Sequence, residues 1–232
     1  ALEEKRAPLI YRVHDAPSTE KLNGLSEFLR TLNIKLNAHA TVKTAQLTGI
    51  LERAAGSENK ELINEIMLRS QSLAIYDPAN IGHFGLNLRK YAHFTSPIRR
   101  YADLVVHRSL IRHLGLGDGG LTSSEIERLK DTAEQISACE RRSMAAEREA
   151  NERYIAAFMS EQIGATFSAK VSGVTRFGLF LKLDETGADG LIPMRSLGRD
   201  FFRHDPRTHA LIGERSKVSY RLGQRLTVRL VE

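Results

Sequence analysis

At Gly164 the spacing of apolar residues changes, and no single type of secondary structure can follow both patterns. Upstream, apolar side chains recur at three and four residues, the period of a helix with one buried face. Downstream they alternate in short runs between turn residues, the period of strands. Residues 166–174, 178–183 and 190–193 read as strands, with 184–188 as a turn. The chain is therefore expected to be α+β, a mainly helical segment over 1–162 followed by a small β domain over 163–232.

Within the first segment, Leu22, Leu25, Phe28, Leu29 and Leu32 mark an amphipathic helix, and 41–54 and 61–70 predict two more. Residues 9–13 and 73–76 read as short strands, and 77–80 as a turn. The opening residues 1–6, without Met, read as the tail of a helix. A glycine-rich stretch, 115–120, predicts a flexible connector. Thr122 and Glu125 have the spacing of a capping box and open a helix expected to run to about residue 159. Ile126, Leu129, Ala133 and Ile136 form its buried seam. The mixed charges beyond it read as a solvated face laced with i,i+4 pairs.

Residues 91–108 hold the unusual local chemistry. Ser96 suits an N-cap and Pro97 a first helical position, with Ile98, Tyr101, Ala102, Val105, Ser109 and Leu110 on one face. That reading puts Arg99 and Arg100 in the first turn, where the helix dipole is positive and an acid is the stabilising choice. Two cations there call for an anion, and a phosphate group fits. Solvation, or pairing with Asp103, is the other reading. The formal net charge of +6 favours a polyanionic partner. A single cysteine, Cys139, excludes an internal disulfide and suits a reducing cytoplasm. No apolar run has the length of a membrane span, so no membrane is expected as a partner. His83, His93, His107 and His113 match no zinc spacing, so no metal ligand is expected within the chain.

The run His-Phe-Thr-Ser-Pro-Ile-Arg-Arg-Tyr-Ala-Asp over residues 93–103 resembles the signature of the RNB family, which includes the exoribonucleases ribonuclease II and ribonuclease R. The resemblance implies hydrolytic, processive 3′→5′ degradation of single-stranded and structured RNA to nucleoside monophosphates. It implies that Arg99 stabilises charge at the scissile phosphate. It also implies Mg²⁺ bound by an aspartate cluster lying before the first residue of this chain, so that this piece alone is expected to be inactive. His83 and its Gly-Leu loop are similar to a segment beside the family's catalytic channel, and packing or capping is the alternative for that histidine. Residues 144–148 resemble a stretch whose glutamate lies near the RNA end, which points to Glu147. Arg100 is a further RNA contact on this reading.

The second segment resembles the S1-type OB-fold barrel. There Phe177 and Phe180 would stack on bases, and Lys170, Arg176 and Lys182 would line the groove; burial of one or both rings in the core is the alternative. Pro193 departs from the histidine common at its position. The insertion at 197–223 resembles ribonuclease R more than ribonuclease II, and the last barrel strand is expected to be missing. The whole enzyme is expected to be monomeric and cytoplasmic, whereas a half domain alone would expose apolar surface and favour self-association. A non-catalytic RNA-binding module, or a helical domain whose barrel binds a protein partner, are the competing readings.

Overall fold

The computed structural model describes residues 2, 5–38, 42–57 and 59–231. The helix tail expected over 1–6 falls largely outside them, as does residue 41 at the expected start of the second helix. In chain order the elements are β1 (Tyr11–Val13), α1 (Thr19–Thr31), α2 (Thr44–Ala54), α3 (Lys60–Ser70), β2 (Ile75–Asp77), α4 (Tyr101–Leu114), α5 (Ser123–Glu127) and α6 (Leu129–Ser160). Then follow β3 (Thr166–Thr175), β4 (Gly178–Leu183), β5 (Asp189–Pro193), β6 (Phe202–Asp205), β7 (Ala210–Gly213), β8 (Ser219–Arg221) and β9 (Arg225–Arg229). Two compact units result. One comprises residues 1–18, 42–46 and 70–146, the other residues 19–41, 47–69 and 147–232.

In the first unit, β1 and β2 pair antiparallel with Arg12 opposite Tyr76. Ile10 and Tyr76 pack with Ala102 and Val105 of α4, Leu121, and Leu129 and Ala133 of α6. Ile126 and Ile136 complete the expected seam from the rim. The capping box forms as its spacing predicts: Thr122 Oγ1 accepts from Glu125 N–H, and the Glu125 side chain accepts from Thr122 N–H. Glu125 also receives Arg108 at 2.6 and 2.9 Å. The Arg108 hydrogen bond, then those from Thr122, hold the Glu125 carboxyl at about 2. The same Arg108 donates to the carbonyls of Gly119 and Gly120. A Cβ on Gly120 would meet Arg112 Cβ at 2.8 Å. The stretch expected as a flexible connector is thus fastened at its C-terminal end, because two arginines one turn apart on α4 reach it.

In the second unit, β5-β4-β3-β9 form one antiparallel sheet and β6-β7-β8 another. Phe167, Ala169, Val171, Leu179, Leu181 and Leu183 project from one face of β3 and β4 into a core shared with Met159, Ala188, Phe202 and Leu211. Alternation therefore selects the face, as a half-buried strand requires. The sheet does not close into the expected barrel among the described residues. Its edge strands β5 and β9 each pair on one side, and the chain after β5 enters β6–β8, which pair only with one another. Residues 225–229 lie on β3 as β9, with Phe167 opposite Val228.

Candidate nucleic-acid interface

The helix carrying the arginine pair begins four residues later than its sequence suggests. Arg100 is extended (φ −125°, ψ 108°), so it is the N-cap of α4 and makes no side-chain cap bond. Ser96 and Pro97 instead open a separate turn, closed by Arg100 N–H donating to Ser96 O at 3.0 Å. A carboxylate inside the helix fastens that turn. Asp103 Oδ1, in the first turn, accepts from Ser96 N–H at 2.7 Å and from Arg100 Nη2 at 2.9 Å. A carboxylate at that point also suits the helix dipole. Ile98 is correspondingly fully exposed rather than on the buried face, and Tyr101 is half exposed. The buried side of α4 is Ala102, Asp103, Val105, Val106 and Ser109.

This geometry separates the two arginines. Arg100 is half-buried and bonded to Asp103. Arg99 is exposed at the corner of the turn; its backbone N–H donates to Ser96 O at 3.3 Å, and its guanidinium makes no hydrogen bond or ion pair among the described residues. Burial opposes the charge on Asp103. The hydrogen bonds from Ser96 N–H and the Arg100 guanidinium more than offset that, and its pKa lies below the ordinary aspartate value.

Next to this turn lies an array of rings that the sequence reading did not assemble. Tyr76 Oη and His93 Nδ1 are 2.8 Å apart. Tyr91 meets both His93 and His83 edge to face, at 5.6 and 5.4 Å. His83 in turn lies 5.0 Å from His14. The Arg12 guanidinium sits 4.6 Å over the Tyr76 ring and pairs with Glu140 at 2.7 Å. Burial, followed by the charges of Arg100 and Arg12, depresses the His93 pKa. Burial and His14 depress that of His83. Neutral imidazoles result near pH 7, so His93 Nδ1 can accept from the Tyr76 hydroxyl. His83 also caps the short 3₁₀ turn Phe84–Leu86 through Nδ1, which accepts from Leu86 N–H at 3.2 Å. His14 Nδ1 accepts from Gly85 N–H at 2.8 Å. An open groove of about 660 Å³ runs past His14, His83 and Asn87, with Lys43 and Arg89 contributing positive charge.

In the second unit, the outer face of the sheet collects most of the other candidate residues. Phe180 and Lys182 alternate with the buried leucines of β4, and Leu191 lies opposite Phe180. Phe177 meets Phe180 edge to face at 5.8 Å, with 55% and 39% of their surfaces exposed, so neither ring is a core residue. Gly173 faces Phe180 with a Cβ position 3.2 Å from it, which leaves the ring room to lie over β3. Arg176 and Lys182 are exposed and unpaired among the described residues. Lys170 is opposite Lys182 but bonded to Glu61 of α3 at 2.8 Å. Arg225, opposite Lys170 on the other side, is bonded to Asp184. Carboxylates therefore occupy one end of the face, and the aromatic end is open. Glu147 is exposed on α6 and makes no ion pair among the described residues.

Sequence spacing could have suggested Tyr91 and His93, two residues apart on an extended stretch. Nothing local points to Arg12, His14 or Tyr76. Among the described residues no three His, Cys, Asp or Glu side chains come together in a group that could hold a metal ion. None of the helices is long and apolar enough to cross a membrane, again among the described residues.

Comparison with known proteins gives a consistent result. The RNB domain family matches residues 1–115, and the S1 RNA binding domain family matches residues 160–230. Ribonuclease R of Escherichia coli K12 is 38% identical over 237 residues, covering 99% of this chain and 29% of that protein. The apo form of Mycoplasma genitalium RNase R superposes with a TM-score of 0.88 at 35% identity, covering 100% of this chain and 37% of that one. The same enzyme in complex with ribose methylated single-stranded RNA gives the same TM-score, identity and coverage. The chain spans about three-tenths of the length of the curated relatives it matches.

Proposed function

We propose that the chain, whose residues 1–115 match the RNB domain family and 160–230 the S1 RNA binding domain family, forms part of a hydrolytic 3′→5′ exoribonuclease of the ribonuclease R type. The observation that carries this reading is Arg99, an exposed guanidinium with no partner among the described residues, on a turn fixed from behind by Asp103. When water attacks the scissile phosphodiester, negative charge grows on the non-bridging oxygens. A planar guanidinium can meet two of them with parallel hydrogen bonds, and it strengthens as that charge develops. Arg100 has a smaller part, since its side chain is engaged by Asp103. His83 would contribute through the loop it caps, at the edge of the open groove. Glu147, a carboxylate near the departing nucleotide, would weaken product binding and so favour release.

RNA is the partner this reading requires, and the related Mycoplasma enzyme in complex with single-stranded RNA supports it. Over residues 163–232, Phe177 and Phe180 would stack on successive bases while Arg176 and Lys182 meet the backbone. Lys170 would join them where phosphate competes with Glu61. Residues 1–162 go with the RNB domain. Magnesium belongs to the whole enzyme, with its ligands outside this chain, and no step above runs through it. One cysteine and the absence of a membrane-length helix among the described residues support a cytoplasmic setting.

A non-catalytic RNA-binding module is the second reading, favoured by the sheet face, where an exposed ring pair and free cations stand together. Incubating the whole protein with 5′-labelled single-stranded RNA and Mg²⁺ separates the two. Stepwise shortening from the 3′ end, abolished by a chelator, is the expected result. A gel shift with the RNA left intact would sink the exoribonuclease reading and leave the binding module.

A further inference from the structure

We propose that Asp103 is the positioning residue for Arg99, an inference that rests on the catalytic reading of Arg99 given above. Its carboxylate has no exposed surface, yet it faces a turn at the molecular surface. One oxygen, Oδ1, accepts from the N–H of Ser96, the first residue of the turn, and from the guanidinium of Arg100, its last. Both ends of the five-residue turn are thereby fastened to a single atom of α4. Ser96 is held twice, since its carbonyl also accepts from Arg100 N–H. Pro97, next in line, has a fixed φ. Arg99 projects from the corner, its backbone N–H also bonded to Ser96 O and its guanidinium without a partner among the described residues.

The arrangement is a poor choice for stability alone. Asp103 Oδ2 and Arg100 Nε are both buried without partners, so the ion pair is held by one prong. A buried pair of that kind seldom stabilises a fold more than apolar packing would. It does specify one conformation of the turn. Asp103 touches no substrate on this reading and acts through Arg99 alone. A guanidinium displaced by about 1 Å meets the phosphate oxygens poorly, and displacements of that size reduce rates by up to about a hundredfold.

The test is a double-mutant cycle in the whole protein with Arg99→Ala, Asp103→Asn and the pair, read as kcat and KM on single-stranded RNA. Asp103→Asn keeps an oxygen for Ser96 N–H but loses the charge that holds Arg100. We expect kcat to fall about tenfold to a hundredfold with KM unchanged, and no further fall when Asp103→Asn is added to Arg99→Ala. Equal factors in the two backgrounds would overturn the proposal, because Asp103 would then act independently of Arg99. An Arg99→Ala protein as fast as the parent would instead refute the underlying role of Arg99. Should Asp103→Asn fail to fold, Arg100→Gln tests the same clamp from its other side. A kcat loss that disappears in the Arg99→Ala background supports it, and a raised KM at unchanged kcat overturns it. Val105→Ala, in the core beside Asp103 on α4, controls for general loosening: it should lower Tm and leave kcat intact.

Discussion

Two phenylalanines on one sheet face illustrate how a single residue's surroundings decide its role. Phe180 alternates with the core leucines of β4 and Phe177 lies in the turn before that strand; both rings are exposed and touch each other edge to face. Replacing either with Ala should weaken single-stranded RNA binding by roughly 1–3 kcal/mol and leave Tm almost unchanged, measured by titration and by thermal unfolding of the same samples. A Tm loss typical of a core truncation would return the ring to the core instead. The exposed face of Phe180 was legible in the sequence because alternation on β4 assigns it. The conformation of Arg100 was not. Ser96-Pro97 is a sound local helix start, and a carboxylate seven residues on outweighed it. A long-range contact that overrides a good local signal leaves no trace in spacing.

Among the elements, β4 imposes the tightest backbone constraint. Its first residue, Gly178, lies where a Cβ would sit 2.2 Å from Ile192 O of the neighbouring strand. Gly178→Ala must therefore push β5 away from β4, with a loss of about 3 kcal/mol by chemical denaturation; an unchanged midpoint would contradict the β4–β5 register. For α5, Thr122→Ala removes the side-chain half of the capping box and should lower stability by about 1 kcal/mol. That box, the α6 seam and the strands β3 to β5 were all readable, since each depends on residues close in sequence. The open sheet and the ring array were not. His14 and Gly85 are 71 residues apart, and the pairing of β9 with β3 spans a comparable distance along the chain.

For the whole molecule, acid sensitivity follows from the histidines. His83, His93 and His209 all have depressed pKa values, burial being the first cause in each case. The unfolded chain therefore takes up protons first as pH falls below the ordinary histidine value of 6.5. The stability these neutral rings allow is complete above that value and declines as pH drops towards their folded pKa values. Tm should be lower at about pH 5.5 than at about pH 7.5. The carboxylates contribute little over that interval, because Glu125 and Asp200 are held at about 2 and titrate only in stronger acid. A flat Tm between the two conditions would mean that these rings are not buried as described.

Similarity to ribonuclease R extends over the whole chain, whereas the chemistry proposed here depends on one side chain. Arg99→Lys in the whole protein keeps the charge and removes the planar fork, so steady-state degradation and RNA affinity, measured side by side, test the central claim directly. We predict a kcat reduced by at least about tenfold with RNA affinity nearly unchanged. An equal loss in both, or no loss in either, would contradict it.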